Sequence, residues 1–258
     1  MNRHLSFRSG NPALRADTFQ RYGSLSGSET MTINGTVNKT AISLLLLMLS
    51  ASWTWQMPAG ESSGLMILGA IGGFIAALVT IFNKKIAQYT VPIYAILQGL
   101  FLGGISQFFE TQYPGIVNQA VFLTFGTLGA LLLAYKSGVI KATENFKLGV
   151  FAATGGIAFL YLISFIMGFF GSSIGFIHNN STFGILFSFG VVIIAALNLV
   201  LDFDFIEEAS ENGAPKYMEW YAAFGLMVTL VWLYLEILRL LAKINSCLLY
   251  TSPSPRDS

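Results

Sequence analysis

The sequence is poor in charge, cysteine and histidine, and each shortage excludes a class of protein. Charged residues make up 10% of the 258 residues, whereas 54% are hydrophobic. Ordinary soluble domains carry about 25% charged residues. The single cysteine, Cys247, cannot form an internal disulfide, and the two histidines, His4 and His178, are far apart in the sequence. We therefore expect no disulfide framework, no metal site and no cofactor.

Catalytic motifs are also missing. The sequence contains no H-E-x-x-H zinc-protease motif and no G-x-S-x-G nucleophile elbow. A retinal-binding protein would need a lysine in the middle of its last membrane span, whereas Lys243 stands at the end of the last hydrophobic run. The net charge of +1 gives no reason to expect a nucleic-acid partner. We therefore expect that the protein is not an enzyme.

Seven long hydrophobic runs are what the sequence has instead. They fall near residues 40–56, 64–82, 89–109, 116–135, 148–171, 182–205 and 219–242. A bilayer core of about 30 Å requires roughly 20 apolar residues per helix, and a membrane barrel would show short alternating strands instead. The sequence therefore predicts an all-α polytopic membrane protein with seven transmembrane helices in residues 40–246. Residues 1–39, rich in Arg, Ser and Gly, are expected to form a flexible cytoplasmic tail.

The basic residues alternate between the two ends of these runs, which predicts the orientation in the membrane. The first, third and fifth joints carry no Lys or Arg, whereas the tail and the other joints do. This is the positive-inside pattern, so the N-terminus is expected in the cytoplasm. Arg239 and Lys243 run against the pattern, and we expect them to snorkel toward the lipid head groups. The residues that follow the pattern are Arg3, Arg8, Arg15, Arg21, Lys39, Lys84, Lys85, Lys136, Lys141, Lys147 and Lys216.

Three acids lie inside the hydrophobic runs, and these are the candidate functional residues. An ionisable group at the centre of a membrane helix costs about 2.5 to 3.5 kcal/mol on insertion scales. Asp202 stands about four residues, or roughly 6 Å, from the end of the sixth run, so it should face protein or a water-filled crevice. Asp204 is two residues away and therefore on a different helix face. Glu236 lies in the seventh run, three residues before Arg239, and this spacing favours a local ion pair.

Asp204 also begins a cluster with Glu207 and Glu208, at helical spacings of three and four. A solvated acidic helix end explains this cluster more simply than a cation site does. Asp202 differs because it stands deeper. A carboxyl group away from water takes up a proton more readily than one in water, so an acid at this depth could serve as a proton-operated latch.

Several segments resemble the Bax inhibitor-like family, and in particular its bacterial YccA-like branch. They are "YPGIVNQA" at residues 113–120, "IKATENFKLGVFAATGG" at 140–156, and "APKYMEWYAAFGLMVTLVWLYLEILRLL" after the acidic end of the sixth run. The resemblance covers roughly residues 30–245. It implies two three-helix layers around a central seventh helix. It also implies a pH-sensitive calcium leak, although some bacterial members act instead on a membrane-bound protease.

The resemblance further implies a pair of carboxylates that gates the pore, one in span six and one in span seven. Asp202 matches the first, with Leu201 where the family has an aromatic residue. The second position depends on the register: the "LYLE" match assigns Glu236, whereas a gapless match of the last helix assigns Thr229. We prefer Thr229, because it is nearer the expected depth of Asp202. In that register the chain lacks half of the carboxylate pair.

Two functions remain open from the sequence. The first is a calcium or other cation leak in the bacterial inner membrane, influenced by pH. In it Asp202 is the titrating gate, and Asp204, Glu207 and Glu208 form the cytoplasmic mouth. The second is a non-conducting regulator that binds a membrane-anchored protease through its helices and its Arg-rich tail. The last twelve residues, 247–258, lack apolar periodicity and resemble translated sequencing-adapter read-through, so we expect them to have no function.

Overall fold

The computed structural model describes residues 30–58, 60–171 and 181–251, and these form seven long helices without a β-strand. The arginines of the tail and both histidines lie outside the described residues. All seven helices are long and apolar enough to cross a membrane. The predicted all-α polytopic membrane fold is therefore confirmed. The helices are α1 (Ile33–Trp55), α2 (Ser63–Phe82), α3 (Ala87–Gln112), α4 (Ile116–Lys136), α5 (Glu144–Phe169), α6 (Thr182–Glu211) and α7 (Met218–Thr251).

Side-chain caps explain where several helices begin. The hydroxyls of Thr32, Thr143 and Ser181 accept hydrogen bonds from the backbone N–H groups three residues later, at the starts of α1, α5 and α6. Such caps satisfy N–H groups that have no partner inside the helix. The Glu110 carboxylate does the same for the start of α4, because it accepts from the N–H of Gly115 at 2.6 Å. The caps occur outside the hydrophobic runs, and α1 consequently begins seven residues before the expected position.

Two helix ends also differ from the prediction, and one of them concerns the helix of Asp202. α6 continues past the hydrophobic run, through its acidic residues, to Glu211, so Asp202 is nine residues, or about 14 Å, from the end of the helix. The predicted distance of roughly 6 Å referred to the end of the hydrophobic run, which is not the end of the helix. Charged residues end a hydrophobic run but do not end a helix, since glutamate is a good helix former. α7 likewise continues to Thr251, five residues into the segment that we expect to have no function.

The helices pack as two groups of three around α7. α3 packs against both α1 and α2, and α6 packs against both α4 and α5. α7 touches α1, α3, α4 and α6, and 72% of its most hydrophobic stretch is buried, compared with 17 to 50% for the other helices. The arrangement agrees with the two layers and the central last helix that the resemblance implied. It also defines two ends of the bundle. We call the end with Lys39, Lys84, Lys136, Lys147 and Lys216 the basic end.

Glycines set the close spacing within the first layer. A Cβ atom on Gly69 would collide with the backbone of α3, and one on Gly99 or Gly103 would collide with backbone oxygens of α1. The absence of these side chains lets α3 approach both neighbours closely, as small residues do in membrane helix pairs. This layer is therefore the tightly packed part of the molecule, and the candidate functional groups lie in the other layer.

Candidate ion pathway along α5, α6 and α7

Three polar residues of α5 lie on one helix face at intervals of seven residues. They are Lys147, Thr154 and Tyr161. Seven residues make almost two helical turns, so the three side chains point in nearly the same direction. Successive members are about 10 Å apart along the axis. Buried Val150 and Ile157 lie between them on the same side. One face of α5 thus presents a polar group about every 10 Å across the membrane.

Each of these three residues bonds to a polar partner on α6 or α7. The ammonium of Lys147 lies 2.5 Å from the carboxylate of Asp204 on α6. Farther along, the side-chain amide of Asn198 donates to the hydroxyl of Thr154 at 2.8 Å. We define these residues and their bonded neighbours as the polar track. It consists of Lys147, Asp204, Thr154, Asn198, Tyr161, Glu236 and Arg239.

The end of the track far from the basic end contains a group of three bonded residues. The hydroxyl of Tyr161 donates to Glu236 at 3.0 Å and accepts from Arg239 at 2.8 Å, while Arg239 and Glu236 form the expected ion pair at 3.2 Å. The guanidinium of Arg239 also lies 5.2 Å from the centre of the Tyr161 ring, in a cation–π contact. Glu236 is buried on α7. It is therefore a member of a tyrosine–carboxylate–guanidinium group rather than a lone acid.

Lys243 contradicts its predicted position. Its ammonium does not reach toward the lipid head groups. It is buried and donates to the Ser188 hydroxyl at 2.8 Å and to the Gly184 backbone oxygen at 3.1 Å, both on α6. The snorkelling interpretation of Lys243 was therefore wrong. The physical reason is that the first two turns of α6 offer a carbonyl and a hydroxyl inside the bundle, and a buried ammonium is tolerated where such acceptors exist.

At the basic end, the cluster of acids on α6 is bonded to the neighbouring helices. Asp204 is 22% exposed, whereas Lys147, its partner, is only 7% exposed. Glu207 accepts a hydrogen bond from the Tyr135 hydroxyl of α4 at 2.5 Å, and Glu208 is half-buried. Among the described residues no three His, Cys, Asp or Glu side chains gather in a metal-binding group. Asp204 and Glu207 are therefore each bonded to a side chain of a neighbouring helix.

Asp202 lies beside the track, on the face of α6 that packs inward. Its side chain is 0% exposed, and Leu199 and Ile206, one turn away on either side, are buried on the same face. Across the bundle, Thr229 is about 16 Å from the start of α7, and Asp202 is at a similar distance, about 14 Å, from the end of α6. Glu236 is about 27 Å from the start of α7. Thr229 directs its hydroxyl to the Gly225 backbone oxygen of its own helix. The structure thus keeps Asp202 and Glu236 at different depths.

A second buried carboxylate, which the sequence analysis missed, joins the starts of α1 and α7. Glu219 is 0% exposed and accepts from both the backbone N–H and the hydroxyl of Thr32, each at 2.9 Å. It also forms an ion pair with Lys39. A Cβ atom on Gly35 would overlap the carboxylate, so a glycine there makes room for it. We call Glu219, Lys39, Thr32 and Gly35 the Glu219 clasp.

The sequence analysis missed the Glu219 clasp and the polar face of α5, because their bonded partners are far away in the chain. Lys39 was assigned to the flexible tail and Glu219 to the start of a span, and 180 residues separate them in the chain. No local pattern connects residues that far apart. Lys147 was counted only as a joint lysine, although its seven-residue spacing from Thr154 and Tyr161 was a signal that could have identified the polar face of α5.

A cavity of about 1030 Å³ opens beside the track at the basic end. It lies between α1 and α4, and Asp204 and Glu207 are among its lining residues. Lys147 sits behind Asp204, seen from this cavity. The basic end of the polar track is therefore reached from a polar-rimmed cavity, whereas Arg239 at the other end of the track is 43% exposed.

Comparison with known proteins identifies the family. The family model described as "Bax inhibitor 1 like" matches residues 11–246, which is most of the chain. Comparisons with curated proteins and with solved structures gave no significant match. The matched region includes all of α1 to α6 and nearly all of α7, with both the polar track and the Glu219 clasp. The chain is a multi-pass membrane protein that belongs to the Bax inhibitor 1-like family.

Proposed function

We propose that the protein is a pH-influenced cation leak, with calcium as the cation, in a bacterial inner membrane. The observation that carries the proposal is the polar track, in which one face of α5 bonds polar side chains of α6 and α7 at three successive depths. Polar and charged groups inside a membrane are costly, and they typically mark ion or proton paths. The positive-inside pattern of the joints supports a cytoplasmic location of the basic end.

The two carboxylates of the track offer binding positions for a cation, and their ion pairs with cationic side chains of the protein keep the path closed. Asp204 near one end and Glu236 near the other provide carboxylates that attract a cation. Each is bonded to a cationic side chain of the protein, Lys147 or Arg239. A passing cation has to replace that side chain or share the carboxylate with it. Such an arrangement supports a slow leak rather than a freely open channel.

Asp202 is the proposed gate, because its carboxyl group is enclosed on the inward face of α6. An ionised carboxylate brings a negative charge into this buried face, whereas a protonated one is neutral and costs less to bury. Ionisation of Asp202 would therefore alter the packing of α6 on α7, next to the basic end of the track. The protonation of one buried side chain would thus change the rate of the leak.

The variant Asp202→Asn tests this gate, because asparagine resembles a carboxyl group that is permanently protonated. In proteoliposomes loaded with a calcium dye, the flux of the variant is expected to equal the low-pH limit of the wild-type flux at every pH. Glu61→Gln, an exposed change between α1 and α2, serves as the control and should keep the wild-type profile. A variant that keeps the wild-type pH profile would show that Asp202 is not the gate.

The same assay separates the leak from the second function. A wild-type flux no greater than that of empty liposomes would contradict conduction, and the non-conducting protease regulator would then be the better account. The Arg-rich segment on which that regulator was argued lies outside the described residues.

A further inference from the structure

A cleft follows the seam between α1 and α4, on the side of the molecule where the two layers meet. The cavity of about 1030 Å³ at the basic end continues into a second cavity of about 430 Å³, and Leu44 lines both. α1 and α4 both pack on α7, whose residues Leu226 and Leu230 contribute to the lining. The side walls are mainly apolar, with Val37 of α1 and Leu132 of α4 exposed along the cleft.

The rim of this cleft at the basic end carries more unpaired positive charge than unpaired negative charge. Lys136 and Lys141 line the cavity and are exposed, and neither makes an ion pair within the described part of the chain. In the same lining Asp204 is paired with Lys147, whereas Glu207 keeps its negative charge because its hydrogen-bond partner, Tyr135, is neutral. Two lysines against one unpaired acid leave the rim able to bind an anionic group.

A threonine in the wall of the cleft indicates that the ligand has a hydrogen-bond acceptor deeper in the cleft than its charged group. Thr40 lines the cavity and is buried, and its hydroxyl has no hydrogen-bond partner among the described residues. The neighbouring Thr36 behaves differently, because its hydroxyl donates to the Thr32 backbone oxygen. A buried hydroxyl without a partner costs about 1 to 3 kcal/mol, so a ligand that supplies an acceptor there would gain affinity.

We propose that the α1–α4 cleft binds an anionic phospholipid from the membrane leaflet at the basic end. Its phosphate lies at Lys136 and Lys141, an ester oxygen accepts from Thr40, and an acyl chain follows the apolar walls between α1 and α4. Each lysine near a membrane surface contributes about 1 kcal/mol to the binding of anionic lipids, and the cavity is at the upper end of the size range of ligand sites. The proposal uses residues outside the polar track, so it does not depend on cation conduction.

Photo-crosslinking of the full chain tests this site. The chain is reconstituted in phosphatidylcholine membranes with a trace of phosphatidylglycerol that carries a diazirine in one acyl chain. Labelled peptides are expected from the first half of α1 and the second half of α4. Unlabelled phosphatidylglycerol should compete, whereas phosphatidylcholine with the same chains should not. Lys136→Gln and Lys141→Gln should each raise about fivefold the concentration of unlabelled phosphatidylglycerol that is needed to halve the labelling. Lys85→Gln, an exposed lysine at the same end but outside the cleft, should have no effect.

Three results would overturn the proposal. Labels spread evenly over the lipid-facing helices, with equal competition by both lipids, would indicate only the annular lipid layer. An unlabelled cleft, together with a chain that runs as a dimer after treatment with a bifunctional protein crosslinker, would show a second copy in the cleft. If the labelling in the cleft stayed unchanged when both Lys136 and Lys141 are replaced by glutamine, the lysines would not be binding the phosphate. Val37→Trp and Leu132→Trp fill the cleft without a change of charge, and each should also reduce the labelling.

Discussion

Replacing Glu219 by alanine is expected to lower the free energy of unfolding by about 3 to 5 kcal/mol, the range for removing one partner of a buried ion pair. The change leaves Lys39 without its carboxylate and removes the acceptor of two hydrogen bonds from Thr32. It also opens the contact between the starts of α1 and α7. Chemical unfolding of the purified protein in detergent measures the loss. The exposed change Glu61→Ala should leave the stability within about 0.5 kcal/mol of wild type.

Gly35→Ala provides an independent test of the same clasp. The added methyl group would occupy the space of the Glu219 carboxylate and displace it, while both charges of the ion pair stay in the protein. Gly126→Ala is the matched control, because a Cβ atom there meets nothing within 4 Å. Helix propensity alone favours alanine by up to about 1 kcal/mol at both positions. Equal stabilities for the two variants would show that the clasp does not hold α1 against α7.

Replacing Lys147 by glutamine is expected to raise the cation flux about tenfold. The ammonium of Lys147 lies 2.5 Å from Asp204 and therefore competes with any cation for that carboxylate. Two unit charges 4 Å apart interact by about 4 kcal/mol near a protein surface. Asp204 is partly exposed to water, which weakens this interaction. We therefore assign about 1.4 kcal/mol of it to the competition with the cation, which corresponds to a tenfold change in flux. Calcium flux into dye-loaded proteoliposomes measures it.

The control for this prediction is Lys85→Gln, which removes the same charge at the same end of the bundle but away from the track. If both variants raised the flux equally, the cause would be the general surface potential and not the Asp204 site. A lower flux in Lys147→Gln than in wild type would contradict the competition between the ammonium and the permeating cation.

The fold was predictable because membrane spans are a matter of length and hydrophobicity. All seven predicted runs correspond to helices, and the four-residue spacings of Gly69 and Gly73 and of Gly99 and Gly103 are typical of closely packed membrane helices. The helix ends were less predictable, because they depend on caps and on continued helical structure in polar sequence. Thr32 starts α1 well before its hydrophobic run, and α6 runs through four acids to Glu211.

The candidate site was predictable only where the interaction is local. The ion pair between Glu236 and Arg239 follows from a spacing of three residues. The partners of Asp204 and Glu207 come from α5 and α4, and those of Glu219 come from α1, so the sequence contains no local sign of them. The interpretation of a solvated acidic helix end missed Lys147 and Tyr135 for this reason.

Cysteine accessibility along α5 tests the central claim, that the polar face of α5 lines a cation path. Cys247 is the chain's only cysteine, so Cys247→Ser provides a cysteine-free background. Thr154→Cys and Tyr161→Cys place thiols on the polar face, and Phe159→Cys and Leu162→Cys place them on the exposed apolar face. Each protein is treated from the water with a positively charged thiol reagent while calcium flux is recorded. The account predicts that the reagent modifies positions 154 and 161 and reduces the flux, whereas positions 159 and 162 do not react. Unreactive thiols at 154 and 161, with flux unchanged, would contradict it.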